Sequence, residues 1–322
     1  MTKRAVVIGS LHVDLIARAD RLPREGESVT GGTFAMTPGG KAGNQAIQLA
    51  RCNVETSLLS CVGDDAFGRM LIEAIGSEDV RTDLISIDAE RATGASTVFA
   101  TASDYSSIIC PGAAGSLSVA HLEAAKGAIV AADVLVMQCE LPITFVADAI
   151  SWCHALGIPV VLNASPVSAL DGIGIAFPWD VLDWVVVNKV EADALAAKSG
   201  LHHGDQTSVF AELRTKLRIR NLIVTLGPDG AIWFGEDRNC GCSAFLAEVV
   251  DTVGAGDAFL GTLIASITLG NSVEESLRRA SAAGALAVSQ TGAFAALPTS
   301  AQIDAFLNSH GQSGIRWSHR GG

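Results

Sequence analysis

The residues best placed to do chemistry lie late in the chain, in Asp251-Thr-Val-Gly-Ala-Gly-Asp257, with the apolar run Ala258-Phe-Leu-Gly-Thr-Leu-Ile behind them. This pattern predicts a strand ending near Val250, a Gly-Ala-Gly turn, and a helix starting at about Asp257. Glycines admit positive φ and let a phosphate approach the backbone closely. The free N–H groups of a helix start, with the helix dipole, favour an anion there. A carboxylate in that first turn, beside a transferring phosphoryl group, can accept the proton of an attacking hydroxyl. Asp is also a favoured helix cap, so the residues alone leave two roles open for Asp257. Neither common nucleotide fingerprint is present. Phe259 stands where the dinucleotide pattern needs its third Gly, and no Gly-x-x-x-x-Gly-Lys-Ser/Thr occurs.

Other polar groups cluster at element ends. Gly39-Gly-Lys-Ala-Gly-Asn-Gln45 opens a helix, and Val62-Gly-Asp-Asp65 with Gly68 follows a strand. Asn188-Lys-Val-Glu191 reads by itself as a helix N-cap and its capping-box partner. Thr225-Leu-Gly227 puts a Gly after a strand, which fits a ligand crevice or a plain turn. The seven cysteines are odd in number in a long chain, so a disulfide scaffold is not expected. Cys240-Gly-Cys242 lacks two further metal ligands at suitable spacing.

Asp251-Thr-x-Gly-Ala-Gly-Asp257 resembles the second signature of the ribokinase (pfkB-type) family of carbohydrate kinases, and the segment from Gly39 to Gly68 resembles the first. The two stand far apart, in the family's order, and the resemblance runs from about Val6 to Pro298. It implies ATP-dependent phosphorylation of a primary hydroxyl on a small sugar, ribose or a related pentose or ketose. Asp257 would be the general base, and the backbone of Gly254, Ala255 and Gly256 the anion hole. Asp14, Gly39, Gly40, Lys41, Asn44 and Glu140 would hold the sugar. Asn188 and Glu191 would place Mg²⁺ and phosphate, and Thr225 and Gly227 the nucleotide. A monovalent cation, K⁺, would sit at Asp251, Val253 and the backbone from Ala287 to Gly292. The family's first loop reads Gly-Ser-x-Asn-x-Asp, whereas this chain has Gly9-Ser-Leu-His12-Val-Asp14. His12 therefore joins the expected sugar contacts and leaves the identity of the sugar open. A nucleoside kinase of the same fold, which would need aromatic groups such as Phe34, Phe99 and Tyr105 around a base, is an alternative. A sugar-binding regulator without catalysis is another, and a dinucleotide-dependent oxidoreductase a third.

These groups need a scaffold. Strands are expected at 5–8, 55–61, 134–137, 159–162, 184–187, 222–225, 232–234 and 247–250. Helices are expected at 41–52, 65–75, 143–155, 191–198, 209–217, 258–269, 273–288 and 301–307. Such alternation predicts a doubly wound, mostly parallel sheet covered on both faces. Segments 14–19, 28–36, 96–101 and 106–110 break it and predict a small antiparallel lid, spanning about 14–36 and 96–110. The Gly39-Gly40 pair reads as its hinge. A single domain over 1–310 and a mobile polar tail over 311–322 complete the expectation.

Composition agrees. Hydrophobic residues make up 49% and charged ones 17%, enough for a large core and against disorder. The net charge of −12 comes without a basic stripe, so no nucleic-acid partner is expected. The first apolar run, Ala5–Ile8, is too short for a signal peptide, and no membrane-length apolar stretch occurs, so a cytoplasmic protein without a membrane partner is expected. Lid edges are expected to pair between two copies in a homodimer.

Overall fold

A computed structural model describes residues 2–101, 105–171, 176–201, 204–310 and 315–320. In chain order the elements are β1 (Arg4–Ile8), β2 (His12–Arg18), β3 (Thr33–Gly39), α1 (Lys41–Arg51), β4 (Glu55–Gly63), α2 (Ala66–Gly76), β5 (Val80–Arg81), β6 (Ile85–Asp88), β7 (Thr93–Ala100) and β8 (Tyr105–Gly112). Then come α3 (Val119–Ala124), α4 (Lys126–Val130), β9 (Val134–Gln138), α5 (Ile143–Ala155), β10 (Val160–Asn163), β11 (Trp184–Asn188), α6 (Lys189–Lys198), α7 (Gln206–Leu217) and β12 (Asn221–Thr225). The last are β13 (Ala231–Phe234), β14 (Arg238–Cys242), α8 (Ala255–Thr268), α9 (Val273–Val288), α10 (Ala293–Ala296), α11 (Ser300–His310) and β15 (Ile315–Arg320).

The main sheet runs β15-β14-β13-β12-β11-β10-β9-β1-β4-β5, with β6 also on β4. The pairs from β12 to β5 are parallel, and β13, β14 and β15 add an antiparallel edge. Apolar residues fill both sides of each central strand, as a doubly covered sheet requires. Val6, Ile8, Leu135 and Met137 meet one core with Leu122, Ile129, Phe145, Leu195 and Phe210 of α3 to α7. Ala5, Val7, Val134 and Val136 meet the other with Ile47, Leu71, Leu263, Leu277 and Ile303 of α1, α2, α8, α9 and α11.

A separate four-stranded sheet, β3-β2-β7-β8, holds the segments that break the alternation. β2–β3 and β7–β8 are antiparallel, and the inner pair β2–β7 runs parallel. The hairpin turn expected around 102–104 lies outside the described residues. Side chains alternate across a strand. His12 and Asp14 therefore stand on one face of this sheet, and Leu15 and Ala17 on the other.

One expected strand does not form. Ala247–Val250 is not a strand. Val249 and Val250 are exposed, at 64% and 57%, and the amide of Val250 donates to Val288 O instead of to a neighbouring strand. The strand beside β13 is β14, where Cys240-Gly-Cys242 pairs with Ala231–Trp233. The tail over 311–322, expected to be mobile, includes a further strand. Its Ile315–Arg320 pairs antiparallel with β14, because β14 presents a free edge that a polar strand can cover; 311–314 and 321–322 lie outside the described residues.

Candidate active site

The order of the sheet creates a crevice. From β1 the chain builds β4 on one flank, then returns to build β9 on the other. Ligands of open α/β sheets bind outside the carboxyl ends of the strands at such a switch point. Polar residues stand there in a row. Ser10 follows β1, Gln138 and Glu140 close β9, Asn163 ends β10, Asn188 ends β11 and Thr225 ends β12. Gln138 pairs in register with Asn163, and Asn188 with Thr225. The row covers four strand spacings, about 19 Å, a length suited to a sugar and a nucleotide end to end.

At the β1 end, the backbone turns into α1 at Gly40, whose φ of +98° is glycine territory. The Lys41 amide donates to Glu140 Oε2 at 3.1 Å, and Ser10 Oγ donates to the same oxygen. A carboxylate from β9 thus sits on the positive end of α1. Asp14 packs against Gly39: a Cβ there would lie 2.2 Å from Asp14 Oδ2. His12 is 4% exposed, with Nε2 at 3.3 Å from Asp14 Oδ1 and Nδ1 buried without a partner. His12, Asp14, Gly39, Gly40, Lys41 and Glu140 are therefore contiguous.

Asp257 enters from α8. Gly254 is the N-cap, at φ +80°, and a Cβ on it would lie 3.1 Å from Ala293 Cα. The amides of Gly256 and Asp257 fall in the first turn, where a helix offers no backbone acceptor, and no side chain caps the helix. A Cβ on Gly256 would meet nothing within 4 Å, so packing does not require Gly there. The Asp257 side chain does not cap its own helix. It is 7% exposed and reaches α1, where Oδ2 accepts from Asn44 Nδ2 at 2.7 Å and Oδ1 from Gln45 Nε2 at 2.8 Å. Burial pushes its carboxyl above the usual aspartate range; the Lys41 charge and the two amide donors pull it down, and Glu140 pushes the same way as burial. The result is a carboxylate more basic than an exposed one, held by donors at the mouth of an uncapped helix.

At the β12 end, Asn188 and Glu191 form the capping box that their spacing suggests. The Glu191 amide donates to Asn188 Oδ1 at 2.9 Å, and the Asn188 amide to Glu191 Oε2 at 2.8 Å. Thr225 stands beside Asn188, and Gly227 follows at φ +60° with open space around it. Asp251 pins the approach to α8. It accepts from the amides of Val253, at 3.0 Å, and Gly292, at 3.1 Å, while Val288 O accepts from the amides of Val250 and Asp251. Asp251, Val253 and Gly292 are thus neighbours, with Ala287 buried in the last turn of α9.

Ser10, Gln45, Gln138 and Asn163 are the polar residues that sequence reasoning did not single out. Gln138 ends the otherwise apolar run Val-Leu-Val-Met-Gln, and Gln45 lies on the core face of α1. A polar residue in a buried stripe is the signal that would have found them.

Comparisons with known proteins agree with this geometry. The family model described as pfkB family carbohydrate kinase matches residues 2–300. The chain is 29% identical over 306 residues to a ribokinase of Bacillus subtilis, covering 94% of this chain and 98% of that one. It is 30% identical over 309 residues to a deoxyribokinase of Salmonella typhi, with 94% and 98% covered. It superposes on an Arabidopsis thaliana ribokinase complexed with ribose and ATP with a TM-score of 0.81 at 28% identity, covering 95% of this chain and 99% of that one.

Proposed function

The chain belongs to the pfkB family of carbohydrate kinases, and we propose that it phosphorylates a primary hydroxyl of ribose or a closely related pentose. It is an ATP-dependent sugar kinase. One observation carries the assignment of roles: the buried Asp257 carboxylate, at the uncapped start of α8, joined through Asn44 to the segment that also holds Lys41 and Glu140. The sugar lies at the β1–β9 end, against Asp14, His12, Gly39, Gly40, Lys41, Asn44 and Glu140. Asn44 gives one amide hydrogen to Asp257 and keeps Oδ1 buried without a partner, an acceptor for a sugar hydroxyl. ATP lies along the row toward Thr225 and Gly227. Glu191 gives one oxygen to its helix cap, leaving the other for a water on Mg²⁺, an ion that keeps most of its waters. The amides of Gly254, Gly256 and Asp257 receive the migrating phosphoryl group, joined by that of Ala255 once it leaves Thr252 O, which it meets at 3.4 Å, and Asp257 takes the hydroxyl proton as the oxygen attacks. The small sheet closes over the sugar as a lid and keeps water from competing.

The ribokinase and deoxyribokinase relatives favour a free sugar over a nucleoside. The lid agrees, since Phe34 and Phe99 pair across Ala17, on the face opposite Asp14, and do not line the sugar side. Phe34 is 68% exposed and Ile108, on the same face, 65%. That apolar face supports a homodimer through the lid; sedimentation showing only monomer at assay concentrations would remove it. Potassium at Asp251 and the carbonyls around it would brace the turn before α8, which exchange of K⁺ for Na⁺ in the assay reads directly.

The test is ATP-coupled phosphorylation of ribose, 2-deoxyribose, other pentoses, hexoses and nucleosides. A pentose should turn over best, and turnover of nucleosides alone would contradict the proposal. With the Nε2 proton toward Asp14, His12 Nδ1 is an acceptor that selects a hydroxyl. In the same panel, His12→Asn should change the kcat/KM ratio of ribose to 2-deoxyribose about tenfold, the worth of one hydrogen bond. An unchanged ratio would make His12 a space filler.

A further inference from the structure

Behind Asp257 lies a run of buried amides that the reaction itself does not use. Gln45 is 0% exposed and Gln138 1%. Gln45 Nε2 donates to Asp257 Oδ1 at 2.8 Å and to Asn163 Oδ1 at 3.2 Å, and Gln45 Oε1 accepts from Gln138 Nε2 at 2.7 Å. Asn163 Nδ2 donates in turn to the main-chain Val186 O at 3.1 Å.

The direction of the run is fixed at one end, by the main-chain carbonyl of Val186. A backbone carbonyl only accepts, so Asn163 must turn its NH₂ to Val186 and its oxygen to Gln45. Gln45 must then turn its NH₂ toward Asn163 and Asp257, and Gln138 meets its oxygen from the other side. Rotating the Gln45 amide would set oxygen against oxygen at Asn163 and at Asp257, and nitrogen against nitrogen at Gln138. The fold makes room for this. A Cβ on Gly9 would lie 2.1 Å from Gln138 Oε1, so the turn after β1 needs its Gly to admit that side chain.

We propose that Gln45 is a positioning residue, which the main-chain carbonyl of Val186 orients through Asn163, with Gln138 bonded to its oxygen, so that its NH₂ holds Asp257 ionised and aimed. The inference rests on the reading of Asp257 as base. Both Asp257 oxygens face amide donors; at Oδ1 the oriented Gln45 NH₂ offers a protonated carboxyl no acceptor, and at Oδ2 an acceptor appears only if Asn44 turns its amide over. This offsets the burial that favours the protonated form. Each carboxylate oxygen has a second lone-pair direction, so the sugar hydroxyl still has one to donate to.

Gln45→Met keeps the length and removes the donor. The account predicts kcat lower by about tenfold or more, the cost of a hydrogen bond to a charged group. KM for ATP should be unchanged, and the acid limb of the kcat profile should move to higher pH. Gln138→Met leaves the Gln45–Asp257 bond in place, removes the donor behind it and should move the limb the same way by less, and it serves alone if Gln45→Met does not fold. A purely structural role would lower the melting temperature and leave the limb where it is. Limbs that coincide with the parent's in both variants overturn the proposal. Asp257→Asn separates the failures: if it loses turnover while the limbs stay put, only the positioning role falls, and if it retains turnover, the base assignment falls first.

Discussion

Asp257→Asn is expected to lower kcat by about 10²- to 10⁴-fold, the contribution typical of a general base. The change keeps the side chain's shape, and the amides of Gly256 and Asp257 that would hold the phosphoryl group stay in place. Nucleotide binding should therefore persist, seen as an unchanged Kd for ATP in calorimetry. The fold should also persist. Removing a buried charge favours the native state. The new NH₂, however, must face either Asn44 Nδ2 or Gln45 Nε2, and Gln45 cannot turn because Gln138 and Asn163 hold it. The two effects oppose each other, so the rate should fall far more than the melting temperature. Turnover near the parent's would remove Asp257 from the chemistry.

Gly40→Ala should damage both fold and activity. At φ +98° and ψ 129° the backbone occupies a region that L side chains avoid, at a cost of about 1–3 kcal/mol. The added Cβ would lie 2.6 Å from Ser10 O and 3.0 Å from Leu11 Cα. Both are backbone atoms of the turn after β1, between the core strand and the sugar end, and neither can swing aside as a side chain could. Relief requires the start of α1 to move. That start carries the Lys41 amide on Glu140, with Asn44 and Gln45 on Asp257. A drop of several degrees in melting temperature is expected, with kcat/KM for the sugar down by at least about tenfold. Gly256→Ala is the contrast, since open space surrounds that position and melting should barely change.

Much of this was legible in the sequence because it is local. The Gly-Ala-Gly before an apolar helix, the Gly-Gly before Lys41, and the Asn188–Glu191 spacing each depend on residues within a few positions, and each helix formed, with α8 starting at Ala255 and α6 at Lys189, ahead of the expected starts. The alternation of apolar strands and helices gave the layers for the same reason. What stayed hidden depends on distant pairing. Gln45 meets Gln138 and Asn163 only because α1 crosses the ends of β9 and β10, and nothing near Gln45 announces those partners. Ala247–Val250 has the composition of a strand, but its backbone finds Val288 on α9 instead. Arg238–Cys242 carries no strand-like apolar run, and it enters the sheet only because β13 and β15 pair with it.

The central claim is that the Asp257 carboxylate removes the sugar's proton. Single-turnover phosphoryl transfer to the preferred sugar, followed by rapid quench across pH, tests it most directly. A base must be ionised to act, so the rate should fall as pH drops through its pKa, and burial places that limb above the usual aspartate range. The account predicts this limb in the parent and a slow, flat profile over the same range in Asp257→Asn. The same limb in both proteins would contradict it.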